Sequence, residues 1–303
     1  MSEVGEIRLS KHHGAGNDFL VFMDMADRRP FSAIEVRAMC DRHFGVGADG
    51  IVRVLAGGSG AALSMELRNA DGSFAEMSGN GIRCLAQAAI EAGVVAAGVV
   101  TVETVVGVRN VDYETVGPGL GRAAVDMGPA ILGSELAIDD LAVDATVAVH
   151  KARSVDMGNP HIVLMCDRAS DEVVSTVGAC LARSVPEGAN VEFAWRDTGP
   201  EALDVRVFER GVGETLACGT GAAAAVAAAH AWEMVGDRVE VHLPGGMLEV
   251  EVRRDSIVLR GPTRKVAEVM IRESNLVELV GEMLARQTPR KSTGVSSETV
   301  GRQ

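Results

Sequence analysis

Short apolar runs, several alternating with polar positions at a period of two, dominate this chain and predict a sheet-rich protein. "FLVFMD" (19–24), "ALSMELRN" (62–69), "VVTVETVVG" (99–107), "HIVLMCD" (161–167) and "ALDVRVFER" (202–210) read as strands. Residues 237–261 read as a meander, turned by Pro244, Gly245 and Gly246 and then by Asp255 and Ser256, which favours antiparallel pairing. Helices interrupt the strands. "SAIEVRAMCDRHF" opens at Ser32 with Glu35 in capping-box spacing, and "SDEVVSTVGACLARS" opens at Ser170 with acids in its first turn. A last amphipathic helix falls near 273–286, and the polar, aperiodic stretch 287–303 predicts a disordered tail.

Two further helices differ in kind. "GIRCLAQAAIEAG" (81–93) and "GTGAAAAVAAAHAWEMVG" (219–236) are alanine-rich and apolar on most faces, so each is expected to sit inside a curved sheet. The segments leading into them repeat: 68–83 lies on 208–223 without a gap, pairing Asn69 with Glu209, Ser78 with Cys218, and Gly79 and Gly81 with Gly219 and Gly221. Identity is thin, but a polar strand end, a loop and a nucleophile-type side chain nine positions later recur. The pattern predicts an α/β (α+β) fold of two pseudo-symmetric domains, each a curved, mainly antiparallel sheet wrapped around a central helix. Ser78 and Cys218 would then face each other across an interdomain cleft, the usual place for a small ligand. The N-terminal half is expected at 1–130 with a returning strand at about 264–286, and the C-terminal half at 131–263.

Composition narrows the classes. A chain of 303 residues with 47% hydrophobic content can bury two modest cores. The net charge of -13 and the scattered basic residues argue against a nucleic-acid partner. No apolar run has bilayer-spanning length and "MSEVGEIRLS" is not a secretory signal, so a cytoplasmic protein without membrane contact is expected. Five cysteines without a C-x-x-C pair suggest neither a disulfide framework nor a metal site. Cys40, Cys84, Cys166 and Cys180 are expected as small buried hydrophobes. Asp49 reads as a turn former, and His161, on its residues alone, as a surface histidine.

The helix mouths carry the chemistry. Free N–H groups at Gly79, Asn80, Gly219 and Thr220 would point into the cleft, where two converging macrodipoles favour a carboxylate. The same field predicts that the Cys218 thiol ionises below the ~8.5 of a free cysteine. A thiolate beside a bound α-carboxylate suits α-proton abstraction, and two bases on opposite faces invert a stereocentre without a cofactor.

At these residues the chain resembles the diaminopimelate epimerase family. The resemblance runs through "HHGAGNDF" (12–19), "GVGADGIV" (45–52), "RNADGS" (68–73), "GNGIRC" (79–84), "MGNPH" (157–161), "ANVEF" (189–193), "FERGVGETLACGTG" (208–221) and "LPGG" (243–246), in the family's order and over about residues 7–271. It implies cofactor-independent interconversion of LL- and meso-diaminopimelate, feeding lysine and cell-wall precursor synthesis, usually by a homodimer. It also implies that Asn17, Asn69, Asn159 and Asn190 bind substrate, that Glu209 and Arg210 clamp its distal end, and that His161 lies near the chemistry. Gly79, Asn80, Gly219 and Thr220 would hold the reacting carboxylate, and Cys218 would be one of two catalytic thiols.

Ser78 departs from the pattern, since the family has cysteine there. A hydroxyl is a far weaker acid than a thiol and needs a neighbouring base to act. Four readings stay open: a deliberate change giving an inactive or substrate-trapping form, a natural enzyme with an altered or slow acid/base arrangement, a homologue whose reaction has drifted, or a plain helix N-cap. Competing functions are a racemase or dehydratase of a proline-like substrate, and a catalytically silent amino-acid-binding protein. Pyridoxal phosphate is disfavoured because none of the four lysines (Lys11, Lys151, Lys265, Lys291) sits in a glycine-rich site motif.

Overall fold

Two helices set the architecture of the computed structural model, which describes residues 5–58, 60–138, 147–197 and 199–287. Helix α2 (Gly79–Glu91) is buried from Gly79 to Ala89, and α4 (Gly219–Ala231) from Gly219 to Ala229. Eight of the thirteen residues of α4 are alanine, and those small side chains let sheet close around the helix on every side. Among the described residues, sixteen strands of one continuous sheet run around the two helices. The first seven are β1 (Glu6–Gly14), β2 (Asn17–Met23), β3 (Gly50–Ala56), β4 (Leu63–Asn69), β5 (Gly98–Thr104), β6 (Gly107–Gly117) and β7 (Leu120–Asp126). Then come β8 (Ile131–Glu135), β9 (Val149–Asp156), β10 (Pro160–Cys166), β11 (Asn190–Trp195), β12 (Ala202–Glu209) and β13 (Gly213–Thr215). The last are β14 (Arg238–Leu243), β15 (Gly246–Val252) and β16 (Ile257–Arg272).

Strand β16 joins the two parts. Its residues 257–260 pair with β15, 258–264 with β7 and 264–272 with β1, so β1 to β7 and β16 close into a barrel around α2. From the same strand the path continues through β15, β14, β12, β11, β10 and β9 to β8, around α4. Twelve strand pairings are antiparallel and four are parallel: β2–β3, β4–β5, β10–β11 and β12–β14. The parallel pairs are crossovers made by α1 (Ala33–Cys40), α2, α3 (Asp171–Ala182) and α4 in turn.

The repeat is regular in space. Strands β3 and β11 begin, β4 and β12 end, α2 and α4 run, and β5 and β14 begin at one constant offset of 140 residues. One apolar core surrounds both buried helices, while α3 covers a second cluster and α1 with α5 (Glu273–Gln287) a third, on the outer face. Ser32 and Glu35 form the expected capping box, and Ser170 caps α3.

Several expectations change. The run 99–107 is two strands, because the chain turns at Val105 and Val106 into Gly107, whose φ is +106°. The returning strand starts at Ile257 rather than near 264 and gives way at Glu273 to α5. Cys40, Cys84 and Cys166 are buried, but Cys180 is exposed because it falls on the solvent face of α3 with Glu172 and Thr176. The expected tail from residue 288 lies outside the described residues. Among the described residues no helix is long and apolar enough to cross a membrane.

The two buried helices touch. A Cβ built on Gly219 would lie 3.1 Å from the Gly79 Cα and 2.9 Å from Leu259 Cδ2, and one on Gly79 would lie 2.7 Å from the same Leu259 atom. Alanine normally stabilises a helix over glycine by up to ~1 kcal/mol. Here overpacking against backbone outweighs that gain, and Gly219→Ala should lower the urea unfolding free energy by about 1–3 kcal/mol. An alanine variant more stable than the parent would contradict this packing.

Candidate active site

Each buried helix begins at the floor of one cleft. Ser78 caps α2, its Oγ accepting from the Gly81 N–H at 3.0 Å, and Cys218 caps α4, its Sγ accepting from the Gly221 N–H at 3.3 Å. The extended backbone of both caps is nearly the same (φ -139°, ψ 118° and φ -122°, ψ 118°). Capping therefore accounts for Ser78 locally but does not set it apart, since Cys218 caps too. Among the described residues the N–H groups of Gly79, Asn80, Gly219 and Thr220 find no acceptor in the protein. These four residues line one cavity, at which two positive helix ends meet.

Twelve of the thirteen expected site residues line a single cavity of about 90 Å³. The amino-terminal part supplies Asn17, Asn69, Ser78, Gly79 and Asn80, and the carboxy-terminal part Asn159, Asn190, Glu209, Arg210, Cys218, Gly219 and Thr220. Strand ends and helix mouths position them. Asn17 opens β2, Asn69 and Glu209 close the equivalent strands β4 and β12, and Asn190 opens β11. The backbone N–H of Arg210 donates to Asn190 Oδ1 at 2.9 Å, and the Thr215 hydroxyl donates to Glu209 Oε1 at 2.5 Å. Arg210 donates to the Glu187 carbonyl at 2.7 Å and pairs with Glu76 at 3.5 Å, its charge turned toward the rim.

His161 is the exception. It lies behind the wall and is 1% exposed, so its reading as a surface histidine fails. Register explains the burial: it stands beside Asn190 in the parallel β10–β11 pair, on the face that packs against α4. Its Nε2 lies 3.0 Å from Asn159 Oδ1 and its Nδ1 2.7 Å from Glu192 Oε1, so it fixes a residue of the cavity wall.

Glu192 was missed by sequence reasoning. The signal was a lone acid inside the apolar strand "NVEFAW", every residue of which is buried. The absence of a side chain at Gly221 lets its carboxylate lie beneath the first turn of α4, since a Cβ there would come within 2.7 Å of Glu192 Oε1. Asp49 does more than turn the chain. It accepts from Asn17 Nδ2 at 2.8 Å, from the Asp18 N–H at 3.0 Å and from Arg42, which orients Asn17 toward the cavity.

The electrostatics overturn one expectation. Cys218 is 6% exposed, and burial, with the Glu209 and Glu192 carboxylates adding to it, pushes its thiol well above the ordinary cysteine value rather than below it. Burial likewise raises Glu209 and Glu192. Held so, Cys218 is a protonated thiol at neutral pH, suited to donate a proton. The core thiols of Cys40, Cys84 and Cys166 are pushed up to about 12 by burial.

The fold is one shared by racemases and epimerases of small molecules. A probable proline racemase from Agrobacterium radiobacter superposes with a TM-score of 0.69 at 18% identity, over 88% of this chain and 93% of that one. A hydroxyproline epimerase from Agrobacterium vitis gives 0.69 at 16% identity, over 90% and 94%. In sequence, a diaminopimelate epimerase from Thermobifida fusca is 40% identical over 287 residues, 89% of this chain and all of that protein. Another from Pelotomaculum thermopropionicum is 39% identical over 274 residues, 86% and 97% of the two chains. The diaminopimelate epimerase family model matches residues 9–133 and 153–266. The chain belongs to the diaminopimelate epimerase family, a family of isomerases.

Alkylation reports the protonation of Cys218. In the ligand-free protein the exposed Cys180 should react first, and Cys218 should accelerate only well above the ~8.5 of a free thiol. Glu209→Gln removes one of the carboxylates that disfavour the thiolate, so its onset should move to lower pH. A Cys218 that alkylates fully at neutral pH, unaffected by Glu209→Gln, would contradict the assignment.

Proposed function

We propose that this isomerase acts on diaminopimelate, interconverting the LL and meso forms by moving the α-proton between opposite faces, with no cofactor. The observation that supports the reading is the pair of abutting helix mouths, which brings four unpartnered N–H groups to one cavity with Ser78 and Cys218 capping either side. In the reaction the α C–H bond breaks, its proton passes to the base on that face, and the electron pair spreads into the carboxylate held by Gly79, Asn80, Gly219 and Thr220. Reprotonation from the other face completes inversion. Cys218 is one acid/base group. Ser78 occupies the place of the other and is a poor one, so inversion in this chain is impaired.

The distal amino-acid end of the substrate would meet Asn69, Asn159, Asn190, Glu209 and Arg210. That set has more polar capacity than a proline-like substrate with one carboxylate requires, which favours diaminopimelate over the substrates named for the structural neighbours. The same reading includes a division into halves at about residue 130, a cytoplasmic setting and a homodimer. It places the enzyme in lysine and cell-wall precursor synthesis. A silent amino-acid-binding protein is the competing outcome.

Ser78→Cys restores a second group of suitable acidity and should raise the rate of inversion by roughly 10²-fold or more. Chiral separation of diaminopimelate, with proline and hydroxyproline run in parallel, measures it. Cys218→Ala should abolish turnover with the circular dichroism spectrum unchanged. Binding without turnover in the Ser78→Cys protein would leave only the silent-binder reading, and turnover confined to proline or hydroxyproline would overturn the substrate assignment.

A further inference from the structure

Arg83 lies on α2, one turn from its mouth, and is fully buried. Among the described residues no carboxylate pairs with it, and its Nε has no hydrogen-bond partner. An unpaired buried charge costs several kcal/mol on an order-of-magnitude scale, and such charges normally find a counter-ion. Burial lowers its pKa only to about 10, which leaves the guanidinium charged at neutral pH. Space is kept for it: a Cβ on Gly14 or Gly261 would come within 2.8 or 3.0 Å of Nη2. The architecture of a helix inside a sheet does not demand it, because at the constant offset of the repeat its counterpart on α4 is Ala223.

Its two bonds both lead to the cleft. Nη1 donates to the Gly79 carbonyl at 3.0 Å, and the N–H on the other side of that same peptide, from Asn80, is one of the unpartnered donors at the helix mouth. Nη2 donates to Asn80 Oδ1 at 2.8 Å, which orients the Asn80 amide so that Nδ2 donates to Asn17 Oδ1 at 3.1 Å and to the Ala217 carbonyl at 3.0 Å. The relay thus runs from Arg83 to Asn17 on one wall and to the residue before Cys218 on the other.

We propose that Arg83 is a positioning residue for the carboxylate step: it polarises the Gly79–Asn80 peptide and fixes the Asn80 side chain, so that the donors at the helix mouths are aimed and charged for an α-carboxylate. The proposal rests on the epimerase reading. As the α-proton leaves for the base, negative charge grows on that carboxylate, and a fixed cation behind the donor peptide favours the charge without being displaced. The missing counter-ion of Arg83 is the substrate anion, felt through one peptide unit.

The test compares the chain with its Arg83→Met and Arg83→Lys variants. Three quantities are read: α-deuterium exchange into diaminopimelate, protection of Cys218 from alkylation by diaminopimelate and by acetate as a bare carboxylate, and thermal stability. Arg83→Met should lose about 10²-fold in kcat for exchange and roughly tenfold in affinity for either anion, while unfolding at no lower temperature, since a buried unpaired cation is gone. Arg83→Lys, with the charge but not the fork, should fall between. A structural residue would not lower kcat while sparing stability, nor be partly rescued by lysine. Unchanged kinetics and protection in a folded Arg83→Met protein overturn the proposal, as does failure of both variants to fold. Should the parent bind acetate but not diaminopimelate, the substrate reading fails while acetate protection still decides on Arg83. A parent protected by neither anion overturns both.

Discussion

Everything in this structure depends on two buried helices that meet with their N-termini in backbone contact at Gly79 and Gly219. Each end carries the equivalent of about half a positive charge, and like charges set this close repel. Sheet wrapped around both helices holds them in place, because each is buried from its first residue to its eleventh. The repulsion is offset only when something negative lies between the ends. The fold therefore favours an anion between the helix ends, and the chemistry around that point is what the two halves have added.

Those additions break the symmetry of the repeat. At the constant offset, Asn69 stands where the other half has Glu209, Val52 where it has Glu192, and Arg83 where it has Ala223. Glu209 and Glu192 lie on the Cys218 side and the fully buried Arg83 on the Ser78 side. Burial, with these carboxylates adding to it, favours a protonated thiol at Cys218, and on the Arg83 proposal the cation beneath residue 78 favours an anion there. A pair of groups that exchange one proton needs such a bias, since one member must begin with the proton and the other without it. Serine at position 78 gains little from that field, because its hydroxyl starts far from the range in which the field could ionise it.

Much of this was legible in the sequence. Alanine-rich helices apolar on most faces signal enclosure, and the constant spacing of Asn69 to Ser78 and Glu209 to Cys218 exposed the repeat that brings these residues together. What escaped was whatever depends on pairing rather than local pattern. The strand from Gly107 pairs with its sequence neighbours β5 and β7 and was hidden because the turn at Val105 and Val106 carries no turn-forming side chain. By contrast, β16 serves three partners, two of them distant in sequence, that no window of the chain reveals. His161 misled because a histidine after Asn-Pro has a surface pattern, whereas register against β11 buries it against Glu192. The acidity of Cys218 was inverted for a similar reason: the helix dipole is visible in sequence, but burial beside two carboxylates is not.

The central claim is that the two faces of this site are unequal, with Cys218 the competent group and Ser78 the deficient one. Incubation of LL- and meso-diaminopimelate separately in deuterium oxide, followed by mass spectrometry and chiral separation, addresses it directly. The account predicts slow deuterium entry, through the minor thiolate form of Cys218, into the α-position of one stereoisomer only, with little accompanying inversion. Equal exchange into both isomers, with inversion at the same rate, would mean that another group does the work expected at residue 78 and would contradict it.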